Sequence, residues 1–155
     1  MPSHIASGLK YLATIELKKD GLSQKEIAEE LSIDRSTVSH YLHGRNLSWN
    51  SIDFAKTITQ LSPKDFLLLT QRLFKNIDET RKIMSICKNK DYLAEVSDSC
   101  IGCGLCVDSC LMKAINLNGL KAEIDSIKCC GCLICKDDCP TDSIKILEVN
   151  NDCKY

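Results

Sequence analysis

From Ser3 to Lys19, Ile5, Leu9, Leu12 and Glu16 fall three or four residues apart with Ile15 beside them, and the run then meets Gly21. A helical period closed by glycine predicts one amphipathic helix. Ser23-Gln24-Lys25-Glu26 has the form of a capping box, in which serine and glutamate satisfy each other's free backbone donors at a helix start. A short second helix should follow, to about Glu30. Asp34 is placed to cap a third, Arg35 to Leu42, that stops at Gly44. Beyond a polar linker with Asn46, Ser48 and Asn50, the pattern predicts a helix over Ile52 to Gln60, and Ser62-Pro63 opens another with proline in its first turn.

That last helix is expected to be long. Phe66, Thr70, Leu73, Ile77, Thr80, Met84 and Cys87 alternate spacings of four and three, as a coiled-coil seam does. Two readings stay open: a helix packed on its own domain, or a dimerisation seam. Leu67, Leu68, Leu69 and Phe74 fall off the seam.

Charge divides the chain. Residues 1–90 carry 14 Lys+Arg against 10 Asp+Glu, whereas residues 91–155 carry 6 against 11, and ten of the eleven cysteines lie in the second part. So many cysteines would suit a disulfide-stapled secreted domain, but MPSHIASGLK lacks the basic start and apolar core of a signal peptide. A reducing, cytoplasmic setting is expected, with the cysteines as metal ligands. No apolar run approaches the roughly 18 residues that span a bilayer, so no membrane partner is expected.

From Val96 onward the sequence repeats at a period of 29. Cys100, Cys103, Cys106 and Cys110 are matched by Cys129, Cys132, Cys135 and Cys139, and Ile115 and Leu117 by Ile144 and Ile146. Each half reads C-x2-C-x2-C-x3-C followed by a short strand, and Asn118-Gly119 is a hairpin signal between Ile115-Asn116-Leu117 and Leu120 to Ile124. Two intervening residues let a tight loop wrap three thiolates around one face of a cubane. Residues 94–149 resemble the bacterial two-cluster ferredoxins. The resemblance implies two [4Fe–4S] clusters, one held by Cys100, Cys103, Cys106 and Cys139, the other by Cys129, Cys132, Cys135 and Cys110.

Zinc ribbons also use C-x2-C pairs, but two triplets plus two single cysteines fit four-ligand zinc sites poorly. Leu111 departs from the ferredoxin pattern, where proline usually follows the fourth cysteine as Pro140 follows Cys139. No ligand is missing, which argues against an open iron site for substrate chemistry. Of the other cysteines, Cys130 falls at the repeat position of Ile101 and reads as a small packed hydrophobe. Cys87 and Cys153 read as incidental or structural thiols.

Residues 24–43 carry a second pattern. Ile27, Ala28, Leu31, Ile33, Val38 and Tyr41 occupy the apolar positions of a helix-turn-helix, and LSQKEIAEELSIDRSTVSHYLHGRN resembles the DNA-binding units of the phage-repressor class, with Ser32 where glycine is usual. On the recognition helix Val38 and Tyr41 should face inward, leaving Arg35, Ser36, Thr37, Ser39 and His40 for base edges and phosphates, and Arg45 for a phosphate. Residues 1–46 hold six Lys+Arg and six Asp+Glu, so non-specific affinity for DNA should be low.

The expected architecture is α+β: an all-α helix-turn-helix domain over 1–46, a helical linker or dimerisation segment over 47–92, and a ferredoxin-like two-cluster module over 93–155. Together the modules resemble archaeal and anaerobe regulators that join a helix-turn-helix to a ferredoxin domain. The resemblance implies a homodimeric regulator, binding double-stranded DNA and responding to redox state, oxygen or cluster supply. The competing expectation is an electron-transfer subunit whose helical half docks on a redox partner protein. No nucleophile–base pair, phosphate loop or nucleotide fingerprint points to an enzyme.

Overall fold

The computed structural model describes residues 2–45, 47–88 and 90–149; Asn46 of the expected linker and Cys153 lie outside the described residues. The chain forms two units, Met1–Asn89 and Lys90–Tyr155. The first contains six helices, α1 (Pro2–Lys19), α2 (Gln24–Leu31), α3 (Arg35–Leu42), α4 (Trp49–Thr59), α5 (Pro63–Leu73) and α6 (Ile77–Lys88). The second contains β1 (Asp91–Val96), α7 (Leu105–Ser109), β2 (Ile115–Asn118), β3 (Lys121–Ile124), α8 (Ile134–Asp137) and β4 (Ile144–Val149).

α1 is the centre of the helical unit, packing against each of α2 to α6. Its buried stripe is Leu9, Ala13, Thr14 and Leu17, and the Thr14 hydroxyl donates back to the Lys10 carbonyl at 2.8 Å, so that hydroxyl is not left bare in the core. α2 begins at the expected capping box: the Glu26 amide donates to the Ser23 hydroxyl and the Ser23 amide to the Glu26 carboxylate. Hydrogen bonding by the Ser23 side chain, and then by its amide, holds the Glu26 carboxyl below its ordinary pKa. Ser32 ends α2 in the left-handed region at φ 51°, taking the place of the usual glycine. Asp34 occupies the N-cap position of α3, but its side chain makes no capping hydrogen bond there. The next helix starts at Trp49, earlier than Ile52, because the Ser48 hydroxyl accepts from the Ser51 amide.

The expected long helix is two helices. Phe74 is extended (φ −107°, ψ 115°), and the Asn76 side chain accepts from the Asp78 amide at 2.8 Å to start α6. Phe74 is buried, with the Lys10 ammonium 5.7 Å from its ring centroid. The seam residues Phe66, Thr70, Thr80 and Met84 are buried where α5 packs on α6, the Thr70 hydroxyl lying 3.6 Å from the Met84 sulfur. The seven-residue pattern therefore closes inside the unit, and α4 to α6 belong to the same packed body as the helix-turn-helix instead of forming a linker.

In the second unit β1 pairs antiparallel with β4 (Val96 opposite Ile144) and β2 with β3 (Ile115 opposite Ile124). A shift of 29 residues carries β2 onto the start of β4 and the body of β1 onto β3. Each ladder thus joins one strand from each half. The expected Asn118-Gly119 hairpin links β2 to β3, with Gly119 at φ 62°.

α1 passes close to α4 at Gly8, where an added Cβ would clash with the Ser51 carbonyl oxygen and lie 3.1 Å from the Ala55 Cβ. Gly8→Ala should push α1 away from α4 and cost about 1–3 kcal/mol, read as an earlier thermal unfolding of the helical unit. An unchanged midpoint would contradict this packing.

Candidate metal centre and nucleic-acid interface

The cysteine loops fold alike. Gly102 and Gly131 both have φ 66°, Gly104 and Leu133 have φ 81° and 63°, and Lys113 and Asp142 have φ 50° and 48°. Each pair is 29 residues apart, so the left-handed bends that turn three cysteines inward recur in both halves. Neither Gly102 nor Gly131 tolerates a side chain: a Cβ would lie 2.6 Å from the Leu120 carbonyl oxygen in the first loop and 2.2 Å from the Tyr92 ring in the second.

Two cavities result. One is lined by Cys100, Cys103, Cys106 and Cys139, with Leu117 and Ile144 among its apolar walls. The other is lined by Cys110, Cys129, Cys130, Cys132 and Cys135, with Met112 and Ile146. Each therefore gathers the C-x2-C-x2-C triplet of one half and the fourth cysteine of the other, with Cys130 joining the second. Among the described residues no three His, Cys, Asp or Glu side chains converge as ligands of a single ion. Four sulfurs ringing an apolar space suit a cluster, which presents a separate metal to each thiolate.

Backbone donors already point at the crossing sulfurs. The Ala114 amide donates to the Cys110 sulfur and the Ser143 amide to the Cys139 sulfur, both at 3.3 Å. Cys139 also lies 3.6 Å from the Thr141 hydroxyl. Burial works against charge on the Cys139 sulfur, but the Ser143 amide and Thr141 hydroxyl outweigh it and hold the thiol below its ordinary pKa. Burial raises Cys106 and Cys129, and pushes Cys135 up to about 12 with the nearby Cys132 and Cys129 sulfurs adding to it. Without metal these thiols keep their protons, so ligation must displace them.

Cys130 lines the second cavity together with Cys110, Cys129, Cys132 and Cys135. Its hydrogen bond with Cys132, and then burial, keep its thiol neutral. Cys87 packs near the Leu9 carbonyl in the helical unit, where burial and then the Glu16 charge push it up to about 12. Two buried hydroxyls of the cysteine unit, on Tyr92 and Ser109, find no hydrogen-bond partner among the described residues. Burial, followed by the Glu148 charge, raises the Tyr92 phenol to about 12. Neither residue stood out in the sequence, although the glycine spacing of 29 marked the loop against which Tyr92 packs.

In the helix-turn-helix, Val38 and Tyr41 are buried, and the Tyr41 ring meets that of Tyr11 edge-on at 6.1 Å, fixing α3 to α1. Of the candidate DNA contacts, Arg35, Ser36 and Arg45 are exposed, whereas Thr37, Ser39 and His40 are half-buried. His43, just past the helix, has its Nδ1 2.7 Å from the Ser39 carbonyl oxygen. No helix among the described residues is long and apolar enough to cross a membrane.

Residues 99–143 match the family model of the 4Fe-4S dicluster domain, and residues 15–48 match a helix-turn-helix model. The ferredoxin-type protein FwdE of Methanocaldococcus jannaschii is 33% identical over 148 residues, 96% of this chain and 99% of its own length. No solved structure matches the chain.

The Cys139 environment yields a pH-dependent outcome. Thr141→Val removes a donor to the thiolate, so the Cys139 pKa should rise and its alkylation in iron-free, reduced protein should move to higher pH. Peptide-mapped alkylation rates against pH measure this, and an unshifted Cys139 profile would show that the hydroxyl does not stabilise the thiolate.

Proposed function

Because the chain belongs to the family of the ferredoxin-type protein FwdE and joins a helix-turn-helix to a 4Fe-4S dicluster domain, we propose that it is an iron–sulfur-dependent, DNA-binding transcriptional regulator. Two [4Fe–4S] clusters are held, one by Cys100, Cys103, Cys106 and Cys139, the other by Cys129, Cys132, Cys135 and Cys110. Bound there, they supply one-electron chemistry that makes the protein responsive to redox state, oxygen or cluster supply.

The observation that carries this reading is the build of α3: Val38 and Tyr41 are spent on the core, while Arg35 and Ser36 stand exposed on its first turn. In helix-turn-helix proteins the first residues of the second helix meet base edges. Arg35 is the base reader, Ser36, Thr37, Ser39 and His40 line the same helix, and Arg45 meets a phosphate. Residues 1–46 have as many acidic as basic side chains, so a homodimer on a pseudo-palindrome is needed to double the contacts. With the seam closed inside the unit, the second copy meets apolar side chains still exposed on α4 and α5, among them Trp49 (82% exposed) and Phe54 (62% exposed).

A specific observation favours a second reading, an electron carrier that docks on a redox partner protein. Ile101, Leu105, Leu117 and Leu120 are exposed beside the first cysteine loop, an apolar rim suited to a transient protein contact, and the relative's name is that of a ferredoxin-type protein.

Two measurements test these readings. Anaerobically loaded protein should hold about eight irons and eight sulfides per chain. Cys110→Ala and Cys135→Ala should each lose the same cluster, leaving about half of the iron, and Cys130→Ala should lose none; a loss of iron from Cys130→Ala would give that residue a ligand's role. Selection from random duplex DNA should return a pseudo-palindrome with half-sites about one helical turn apart. Arg35→Ala should cost about 1–3 kcal/mol and relax specificity, whereas Arg45→Ala weakens all sequences alike. Loaded protein that selects no sequence would leave the electron carrier as the better reading.

A further inference from the structure

The two cysteine loops repeat each other in backbone but not in cover. By the 29-residue spacing, Tyr92 on β1 corresponds to Lys121 on β3. Lys121 pairs with the exposed Asp98 at 2.6 Å, and in the loop beside it Cys103 and Ile101 are exposed. Tyr92 does the opposite: its side chain is 7% exposed, and its ring carbons Cδ1, Cε1 and Cζ lie 2.2–2.5 Å from where a Cβ on Gly131 would sit. The ring thus packs against Gly131, between Cys129 and Cys132 in the chain, and its Cζ, which bears the hydroxyl, is part of that contact.

The hydroxyl itself is the unexplained part. It is buried and has no partner among the described residues, although a buried phenol ordinarily finds one. At neutral pH a phenol is a hydrogen-bond donor, and the acceptors near enough to act on this one are the Glu148 carboxylate and the sulfurs of Cys130, Cys129 and Cys132. Gly131 is what permits the approach, since any side chain there would displace the ring.

We propose that the Tyr92 hydroxyl donates to a sulfur of the iron–sulfur cluster held by Cys129, Cys132, Cys135 and Cys110, and thereby raises the potential of that cluster above the other. The inference rests on the two-cluster reading and is independent of whether the protein binds DNA. A donor to sulfur stabilises the reduced state, which carries one more negative charge, so the added electron settles at the Tyr92-covered site. The open loop, with Cys103 at the surface, is then the entrance through which a one-electron donor or acceptor reaches the pair. Tyr92 is a tuning residue, and its role should appear in a potential more than in stability.

The test uses the full-length protein loaded anaerobically, with Tyr92→Phe and, separately, 3-fluorotyrosine installed at position 92. Iron and sulfide content is measured first: wild-type protein with fewer than two clusters would overturn the two-cluster reading and this inference with it. With both clusters present, a redox titration followed by EPR should show two midpoint potentials. Tyr92→Phe should lower the higher one, the more acidic fluorophenol should raise it, and the other potential should stay fixed. If Tyr92→Phe sheds iron, the fluorotyrosine protein alone decides, since its ring keeps size and donor. Two potentials unmoved by the substitutions, or both moving together, would overturn the proposal.

Discussion

Each cysteine-lined cavity takes the C-x2-C-x2-C triplet of one half of the repeat and the fourth cysteine of the other, and the remaining features of that unit answer to this constraint. Neither half can complete a site alone. The strands cross in the same sense, β1 with β4 and β2 with β3, so Asp91 stands opposite Val149 at the far end of the unit's described residues. Bringing such distant segments together carries a loop-closure cost. The buried apolar set that offsets it is small, led by Met112, Ala114, Ile115, Ala122 and Ile144. Ligation supplies the rest, because thiolate binding of metal is also folding free energy.

The helical unit obeys a different physics. Its order comes from an apolar core around α1, from serine caps on α2, α4 and α5, and from buried threonine hydroxyls that return their bonds to nearby carbonyls. A helix-turn-helix unit with an apolar core is thus joined to a 4Fe-4S dicluster unit with a smaller buried apolar set. This division supports the proposed regulator over a simple carrier, since the order of one unit would follow cluster supply.

What could be read from the sequence depended on how local the signal was. The capping box, the Ser62-Pro63 helix start, the inward Val38 and Tyr41 and the Asn118-Gly119 hairpin are each set within a few residues, and each is found as expected. The seam from Phe66 to Cys87 misled because a four-three spacing persists across a break, the two short helices burying the same residues against each other. The break had its own signal in Asn76, Asp78 and Glu79, a cap followed by acidic residues, which the longer periodicity masked. Tyr92 was not legible at all: it meets Gly131, 39 positions on, from a strand whose ladder sets it opposite Glu148, 56 positions on.

The cross-half arrangement of the thiolates is the claim on which the account turns, and iron anomalous scattering from crystals of anaerobically loaded protein tests it most directly. The account predicts two separate four-iron peaks, one within bonding distance of Cys100, Cys103, Cys106 and Cys139, the other of Cys129, Cys132, Cys135 and Cys110. Iron bound to Cys100, Cys103, Cys106 and Cys110 as a self-contained set would contradict it.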